Sequence, residues 1–86
     1  MPEKTVWVVV CKDNENGEVN LDVFGTKERA GEQTRKIYEE VVDNLLGDQY
    51  VNEICFEDGK TITYFSIGFH EGETLYECFI CEETIQ

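Results

Sequence analysis

The chain has 86 residues, 19 acidic against 7 basic side chains, a formal net charge of −12 and a hydrophobic fraction of 41%. A chain this short folds around one small core, so residues 1–86 are predicted to form a single acidic domain. The apolar fraction argues against wholesale disorder, and the charge argues against direct binding to nucleic acid or to an anionic membrane. The longest apolar run is far too short to span a bilayer, and the N-terminus lacks a signal pattern, which predicts a cytoplasmic location.

The first elements in the chain are predicted to form a β-hairpin. Residues 5–11, TVWVVVC, are β-branched and aromatic without a helical period, which is typical of a strand. Asn16-Gly17 favours a type I′ turn because both residues tolerate positive φ. Residues 18–25, EVNLDVFG, then alternate apolar and polar side chains and indicate the second strand.

One helix of about twenty residues is predicted next. Thr26 is a suitable N-cap, and Gly47 is the expected C-terminal stop. Ala30, Ile37, Val41 and Leu45 fall on one face. A glycine inside the helix, at position 31, costs about 1 kcal/mol relative to alanine, so the first turns are expected to be loosely held.

The remainder of the chain predicts three strands joined by tight turns at Asp58-Gly59 and Glu71-Gly72. The fold class is therefore α+β, a two-layer ββαβββ arrangement with one helix packed on a five-stranded, mainly antiparallel sheet. Two strand orders remain open, 2-1-3-4-5 and 3-4-5-1-2.

Alternation places two apolar sets on opposite faces of this sheet. The set expected to face the helix is Val6, Val8, Val10, Val19, Leu21, Val23, Ile54, Phe56, Phe65, Ile67 and Phe69. The set expected on the other face is Trp7, Val9, Cys11, Phe24, Cys55, Ile62, Tyr64, Leu75, Phe79 and Cys81. One helix cannot cover both faces, and a large exposed apolar patch usually marks an interface. Candidate residues for a homodimer or partner face are Trp7, Val9, Phe24, Tyr64 and Phe79. The alternatives are a slipped register in the last hairpin, or a shorter, curled sheet with singly exposed aromatics.

No catalytic, cofactor or metal site is predicted. The motif CFIC could suggest a metal or redox site, but in a strand Cys78 and Cys81 point to opposite faces and cannot chelate one ion. Ser66 and His70 share a strand face but lie about 13 Å apart, too far for a nucleophile and its base. The cysteines are interpreted as small apolar core residues, and the chain as a protein without enzymatic activity.

The acidic residues are distributed unevenly along the chain. Residues 1–38 hold seven acids against six bases, whereas residues 39–86 hold twelve acids against Lys60 alone. Same-face side chains of one strand are about 6.7 Å apart, so the carboxylates of the last hairpin could form rigid rows. The predicted partner-binding residues are Glu57, Asp58, Glu71, Glu73, Glu77, Glu82 and Glu83.

Two hypotheses follow from these patterns. In the first, the protein is a non-catalytic binding module, and its carboxylate rows replace a phosphate backbone in a basic groove. Its partner would be a nucleic-acid-handling enzyme, and the protein would resemble in composition the small acidic inhibitors of phage anti-restriction and anti-CRISPR type. In the second, it is a structural or accessory domain that forms a homodimer through the open sheet face, and its acidity only confers solubility.

Overall fold

One helix and five strands make up the computed structural model, which describes residues 4–45, 47–69 and 73–85. In chain order the elements are β1 (Lys4–Asp13), β2 (Glu18–Phe24), α1 (Lys27–Asp43), β3 (Tyr50–Glu57), β4 (Thr61–Gly68) and β5 (Thr74–Ile85). The strands form one antiparallel sheet in the order β2-β1-β5-β4-β3. This architecture confirms the α+β prediction. Read from the β3 edge, the strand order is 3-4-5-1-2, which is the second of the two predicted alternatives. Helix α1, the one helix of the described residues, is too short at 17 residues and too polar to span a bilayer.

Helix α1 begins where the sequence indicates and ends earlier than expected. The Thr26 side chain caps it by accepting a hydrogen bond from the Arg29 backbone N–H at 3.2 Å. The helix ends at Asp43, and Asn44 serves as the C-cap, with its side-chain amide donating to the Glu40 carbonyl at 2.7 Å. The predicted stop at Gly47 is wrong because this amide already binds a free carbonyl of the last turn.

The apolar face of α1 packs on the sheet as predicted. Ala30 is completely buried, and Ile37, Val41 and Leu45 pack against the core. Tyr38 lies on the same face, and its ring meets the Phe65 ring edge-on, with centroids 5.2 Å apart. The helix is thereby fixed across β1, β5 and β4.

Gly31 has a packing role that its helix propensity does not show. The residue is buried against β4, and a Cβ atom there would come within 2.6 Å of Thr61 Cγ2. The first turns therefore lie close to the sheet, a contact that the low helix propensity of glycine did not indicate. Glycine permits this approach because it has no side chain.

The two tight turns within the described residues differ in type. Asp58 and Gly59 have φ values of 56° and 69°, and the Lys60 N–H donates to the Glu57 carbonyl, as a type I′ turn requires. The β1–β2 loop is not the predicted type I′ turn, since positive φ occurs at Gly17 but not at Asn16. Its backbone is stabilised by the Asp13 carboxylate, which accepts from two following N–H groups. The turn predicted at Glu71-Gly72 lies outside the described residues.

Two register shifts bring apolar residues of the β3–β4 hairpin onto the helix-covered face. The pairing Val51↔Ile67 followed by Glu53↔Ser66 leaves one additional residue in β3. The pairing Cys55↔Tyr64 followed by Phe56↔Ile62 leaves one additional residue in β4. Such bulges shift the alternation by one position, so that Ile62 lies on the same face as Phe65. Both side chains belong to the core.

The orientation of the N-terminal hairpin is the reverse of the predicted one. The helix-covered face carries Val9 and Cys11 of β1, which join Phe65, Ile67 and Cys78 in the core. Trp7 and Phe24 are partly buried against the same core. The expectation that Trp7, Val9 and Phe24 lie on the open face is therefore wrong. Both faces of β1 are apolar, and the alternation of β2 favoured the wrong face. The pairing of Cys11 with Cys78 and of Val9 with Ile80 decides the orientation instead.

The open face carries the other set of hairpin side chains. Val19, Leu21 and Val23 of the edge strand β2 are 57%, 61% and 64% exposed, although they were predicted to face the helix. Val8 and Val10 of β1 are their cross-strand neighbours. Tyr64 and Phe79 lie on this face as predicted, with their rings stacked at a centroid distance of 6.5 Å.

Candidate functional site

The antiparallel topology sorts the charged residues onto two ends of the sheet. We define the acidic end as residues 12–18, 39–45, 47–49, 68–69 and 73–76, where β1, α1 and β4 finish and β2, β3 and β5 begin. We define the mixed end as residues 4–7, 26–35, 57–62 and 82–85. The 17 residues of α1 run from the mixed end to the acidic end, about 25 Å, so the two ends are separate surfaces.

The acidic end holds eight acidic side chains and one basic side chain. The acids are Asp13, Glu15, Glu18, Glu39, Glu40, Asp43, Asp48 and Glu73, and the base is Lys12. They come from four different segments of the chain, which the fold brings together. Helix α1 contributes its C-terminus, with no basic residue in its last turn. The partial negative charge of the helix dipole at this terminus adds to the field of the carboxylates.

A cavity of about 300 Å³ opens at the acidic end between α1 and the sheet. Three carboxylates line it, those of Asp13, Glu15 and Glu40. The apolar part of its lining comes from both layers and comprises Val41, Leu45, Ile67, Leu75 and Tyr76. Asn44 and Gln49 add two amide groups. The cavity therefore combines an anionic lining with an apolar one, a combination that suits an alkyl chain ending in a positive charge.

The mixed end is close to neutral. It holds six acids and five bases, the bases being Lys4, Lys27, Arg29, Arg35 and Lys60. Lys27 forms an ion pair with Glu57 and donates a hydrogen bond to its carboxylate. This hydrogen bond raises the pKa of Lys27. The Arg35 guanidinium donates to the Lys60 carbonyl at 2.8 Å. Carboxylates at this end therefore lie among cations that reduce the local field.

The predicted partner-binding carboxylates are divided between the two ends. Glu73 is exposed at the acidic end. Glu82 and Glu83 are exposed at the mixed end, and they point to opposite faces because they pair with Trp7 and Val6. Asp58 is exposed in the turn at the mixed end, and Glu57 is held by Lys27. Glu71 lies outside the described residues.

Glu77 differs from the other predicted carboxylates because it has partners on the open face. The Tyr64 hydroxyl donates to its carboxylate at 3.1 Å, and Lys12 Nζ lies 3.9 Å away. A shift in the β4–β5 register adds one residue to β5 between Thr74 and Tyr76, so Glu73 and Glu77 do not follow a simple alternation. The continuous row predicted for this strand is interrupted within its described part.

The sequence reasoning missed the acidic-end residues that lie outside the last hairpin. Asp13, Glu15 and Glu18 belong to a half of the chain that is almost neutral, so a count along the sequence did not mark them. The predicted topology did contain a usable signal. The β1–β2 turn, the helix C-terminus and the β4–β5 turn must all lie at one end of an antiparallel ββαβββ sheet. The charges summed for each end of the predicted sheet therefore point to these residues.

The cysteines occupy the positions expected of strand residues. Cys78 lies in the core beneath the helix and Cys81 pairs with Val8 on the open face, so the prediction that they point apart is confirmed. Across residues 4–45, 47–69 and 73–85, no three histidine, cysteine or acidic side chains converge in a way that could hold a metal ion.

No protein-family model, no curated protein and no solved structure matches this chain. The function is therefore inferred from the geometry and charge of the chain itself.

Proposed function

We propose that the protein is a non-catalytic binding protein whose acidic end docks onto a basic surface of another protein. The observation that carries the proposal is the concentration of eight acids against one base at one end of the sheet. Such a surface attracts cationic partners and accelerates their association. This proposal keeps the partner class predicted from the sequence and moves the binding surface from the C-terminal hairpin to the acidic end.

The acidic residues near the C-terminus of helix α1 favour a role in binding over the alternative that acidity only confers solubility. Acidic residues near a helix C-terminus are unfavourable because they face the negative end of the dipole, and Glu40 and Asp43 occupy this position. Solubility could be obtained from carboxylates placed anywhere on the surface. Residues that disfavour stability are common where function requires them.

The cavity at the acidic end offers a place for one basic side chain of the partner. A lysine or arginine has an aliphatic stem that can lie along Val41, Leu45 and Tyr76 while its charge meets Glu15 or Glu40. A buried, charge-complementary anchor of this type is a common hot spot in protein interfaces. The rest of the acidic end would then contact the basic surface around it.

The favoured partner is a nucleic-acid-handling enzyme, because its basic groove is already built to meet closely spaced negative charges. An acidic protein seated in that groove would compete with DNA or RNA, which is the behaviour of an inhibitor. The affinity would decrease steeply with salt, as it does for complexes dominated by charge.

The first experiment compares two variants of equal net charge. Glu15→Lys/Glu40→Lys changes the acidic end, and Glu82→Lys/Glu83→Lys makes the same change of charge at the mixed end. An oligolysine peptide is titrated into each protein at low salt, and its dissociation constant is measured by calorimetry. The acidic-end variant is expected to bind about tenfold or more weakly than the mixed-end variant.

The same pair of variants then serves in affinity capture from the native host. A partner is expected to be retained by the wild type and the mixed-end variant, to be lost with the acidic-end variant, and to be displaced by added DNA or RNA. Equal losses in both variants would mean that only the net charge matters. Retention of the partner by the acidic-end variant would show that this surface is not the binding site.

A second candidate function is homodimerisation through the open sheet face. Three exposed apolar side chains on the edge strand β2, Val19, Leu21 and Val23, favour it. Leu21→Lys is expected to convert a dimer to a monomer in light scattering without loss of helix content. Trp7→Lys, which places a charge beside the core, is expected to unfold the protein instead. A wild type that remains monomeric at all accessible concentrations would contradict this candidate.

A further inference from the structure

Cys11 and Cys78 face each other across the two strands that join the N-terminal hairpin to the rest of the sheet. They are direct partners in the antiparallel register of β1 and β5, although 67 positions separate them in the chain. Their Sγ atoms are 3.1 Å apart. The residues are 4% and 0% exposed, so the pair lies within the core beneath the helix.

The backbone of this pair is already suited to a disulfide. Directly opposed residues of antiparallel strands have Cα atoms about 4.5–5.5 Å apart, and disulfides connect Cα atoms about 4.4–6.8 Å apart. The sulfur atoms must approach by about 1 Å to reach a bond length of about 2.05 Å. Rotation of the two side chains can supply this movement without a shift of the strands.

We propose that Cys11 and Cys78 are a redox modification site, where an intramolecular cross-strand disulfide forms by exchange with a low-molecular-weight disulfide of the glutathione type. In the first step the thiolate of one cysteine of the pair attacks one sulfur of the small disulfide and releases one small thiolate. In the second step the other cysteine loses its proton and attacks the sulfur of the first cysteine, which releases the other small thiolate. Two protein thiols are oxidised, and one small disulfide is reduced to two thiols.

The hydrogen bond between the two sulfurs favours ionisation of the pair. It lowers the pKa of Cys11, although burial opposes this shift, the Tyr76 hydroxyl supports it and the Asp22 charge opposes it. The same hydrogen bond and burial raise the pKa of Cys78. The contact between the sulfurs therefore favours one thiolate beside one thiol, which is the state that disulfide exchange uses.

The bridge would connect the two halves of the sheet covalently. Cys11 belongs to the β1–β2 hairpin and Cys78 to β5, the strand that carries β4 and β3 beside it. A disulfide closing so long a loop restricts the unfolded chain and raises the resistance of the protein to denaturants. Because both sulfurs are buried, exchange takes place during folding or when the helix opens.

The test uses a variant that retains only this pair, Cys55→Ala/Cys81→Ala. It is refolded from denaturant in a mixture of reduced and oxidised glutathione, and its free thiols are then alkylated under denaturing conditions. The expected product is a monomer lighter by two hydrogen atoms, without alkylatable thiols, and with a higher urea midpoint that a reducing agent reverses. The same treatment of wild type, followed by peptide mapping, should give a Cys11–Cys78 linkage.

The matched control, Cys11→Ala/Cys78→Ala, retains Cys55 and Cys81, which lie on β3 and β5 with β4 between them. It is expected to remain reduced or to form only intermolecular bridges. The proposal is overturned if the retained Cys11 and Cys78 stay alkylatable after refolding, if the reaction stops at a glutathione adduct, or if the wild type links other cysteines. The outcome for the first variant is decisive even if the control variant does not fold.

Discussion

The two ends of the sheet carry similar numbers of charged residues but use them differently. The mixed end has eleven, nearly balanced, and its ion pair connects the helix to the β3–β4 hairpin. The acidic end has nine, of which eight are acidic. At the mixed end opposite charges help to hold the layers together, whereas at the acidic end like charges repel one another and face solvent. The difference is consistent with the proposed function, in which the acidic end binds the partner and the mixed end contributes to stability.

The two ends also differ in how closely the helix packs on the sheet. At the mixed end Gly31 brings the helix close to Thr61, and Thr26 caps the first turn. At the acidic end the helix and the sheet separate enough to leave a cavity of about 300 Å³. An open, charged cleft next to a firmly held scaffold is a common arrangement for binding sites.

Among the comparisons between the two ends, the largest effect on stability is expected at the close contact of the mixed end. Gly31→Ala should destabilise the wild type by about 1 kcal/mol, because the new Cβ meets Thr61 Cγ2. In a Thr61→Ser background, which lacks this methyl group, the same change should stabilise the protein by about 0.5–1 kcal/mol through helix propensity. Urea denaturation of the four proteins in the cycle measures the coupling. Equal effects in the two backgrounds would show that the helix does not approach the sheet so closely.

Smaller effects on stability are expected at the two helix termini, and they have opposite signs at the C-terminus and the N-terminus. Asp43→Lys, at the acidic end, should raise the free energy of unfolding by about 0.5 kcal/mol because it replaces an acid at the negative end of the dipole. Glu28→Lys, in the first turn at the mixed end, should lower it by a similar amount. Both variants change the net charge equally, so urea midpoints separate the effect of position from that of total charge. If both changes stabilise, self-repulsion of the whole molecule dominates over the dipole.

The smallest effect is expected from the ion pair of the mixed end. Glu57→Gln should lower the urea midpoint slightly, since both side chains of the pair are partly exposed to solvent. The control Asp58→Asn removes the same charge from the adjacent turn residue and preserves its positive φ. The pKa of Lys27 is raised above its ordinary value of 10.5, so the contribution of the pair is present at neutral pH and is lost as the pH rises past this value. If the difference in urea midpoint between Glu57→Gln and Asp58→Asn does not change with pH, the Lys27–Glu57 ion pair is not its cause.

Much of the fold could be predicted because local patterns and global topology agree. The strand and helix order, the Thr26 cap, the Asp58-Gly59 turn and the helix face of Ala30, Ile37, Val41 and Leu45 are all confirmed. The face of the N-terminal hairpin was predicted wrongly, because Val8 and Val9 are equally apolar and the alternation of the edge strand β2 favoured the face that the structure leaves open. The bulges in the β3–β4 hairpin were missed, since they shift the register without a turn residue to mark them. The register shift in the β4–β5 hairpin confirms the slipped register that the sequence left open as an alternative.

The site was less predictable than the fold. The excess of acid in residues 39–86 suggested the last hairpin, but β5 runs the length of the sheet and carries Glu73 to one end and Glu82 to the other. The candidate acidic surface instead combines that first glutamate with Asp13, Glu15 and Glu40 from distant parts of the chain. Charge density along a sequence is a poor guide to charge density in space wherever strands reverse direction.

The sequence by itself determined the elements of this protein, their order and its strongly acidic character, because periodicity, turn residues and composition act locally or in sum. Only the tertiary structure decided which apolar face the helix covers, which carboxylates share one end, and that Cys11 lies opposite Cys78. These properties depend on the pairing of β1 with β5, a contact between distant parts of the chain that no local pattern encodes.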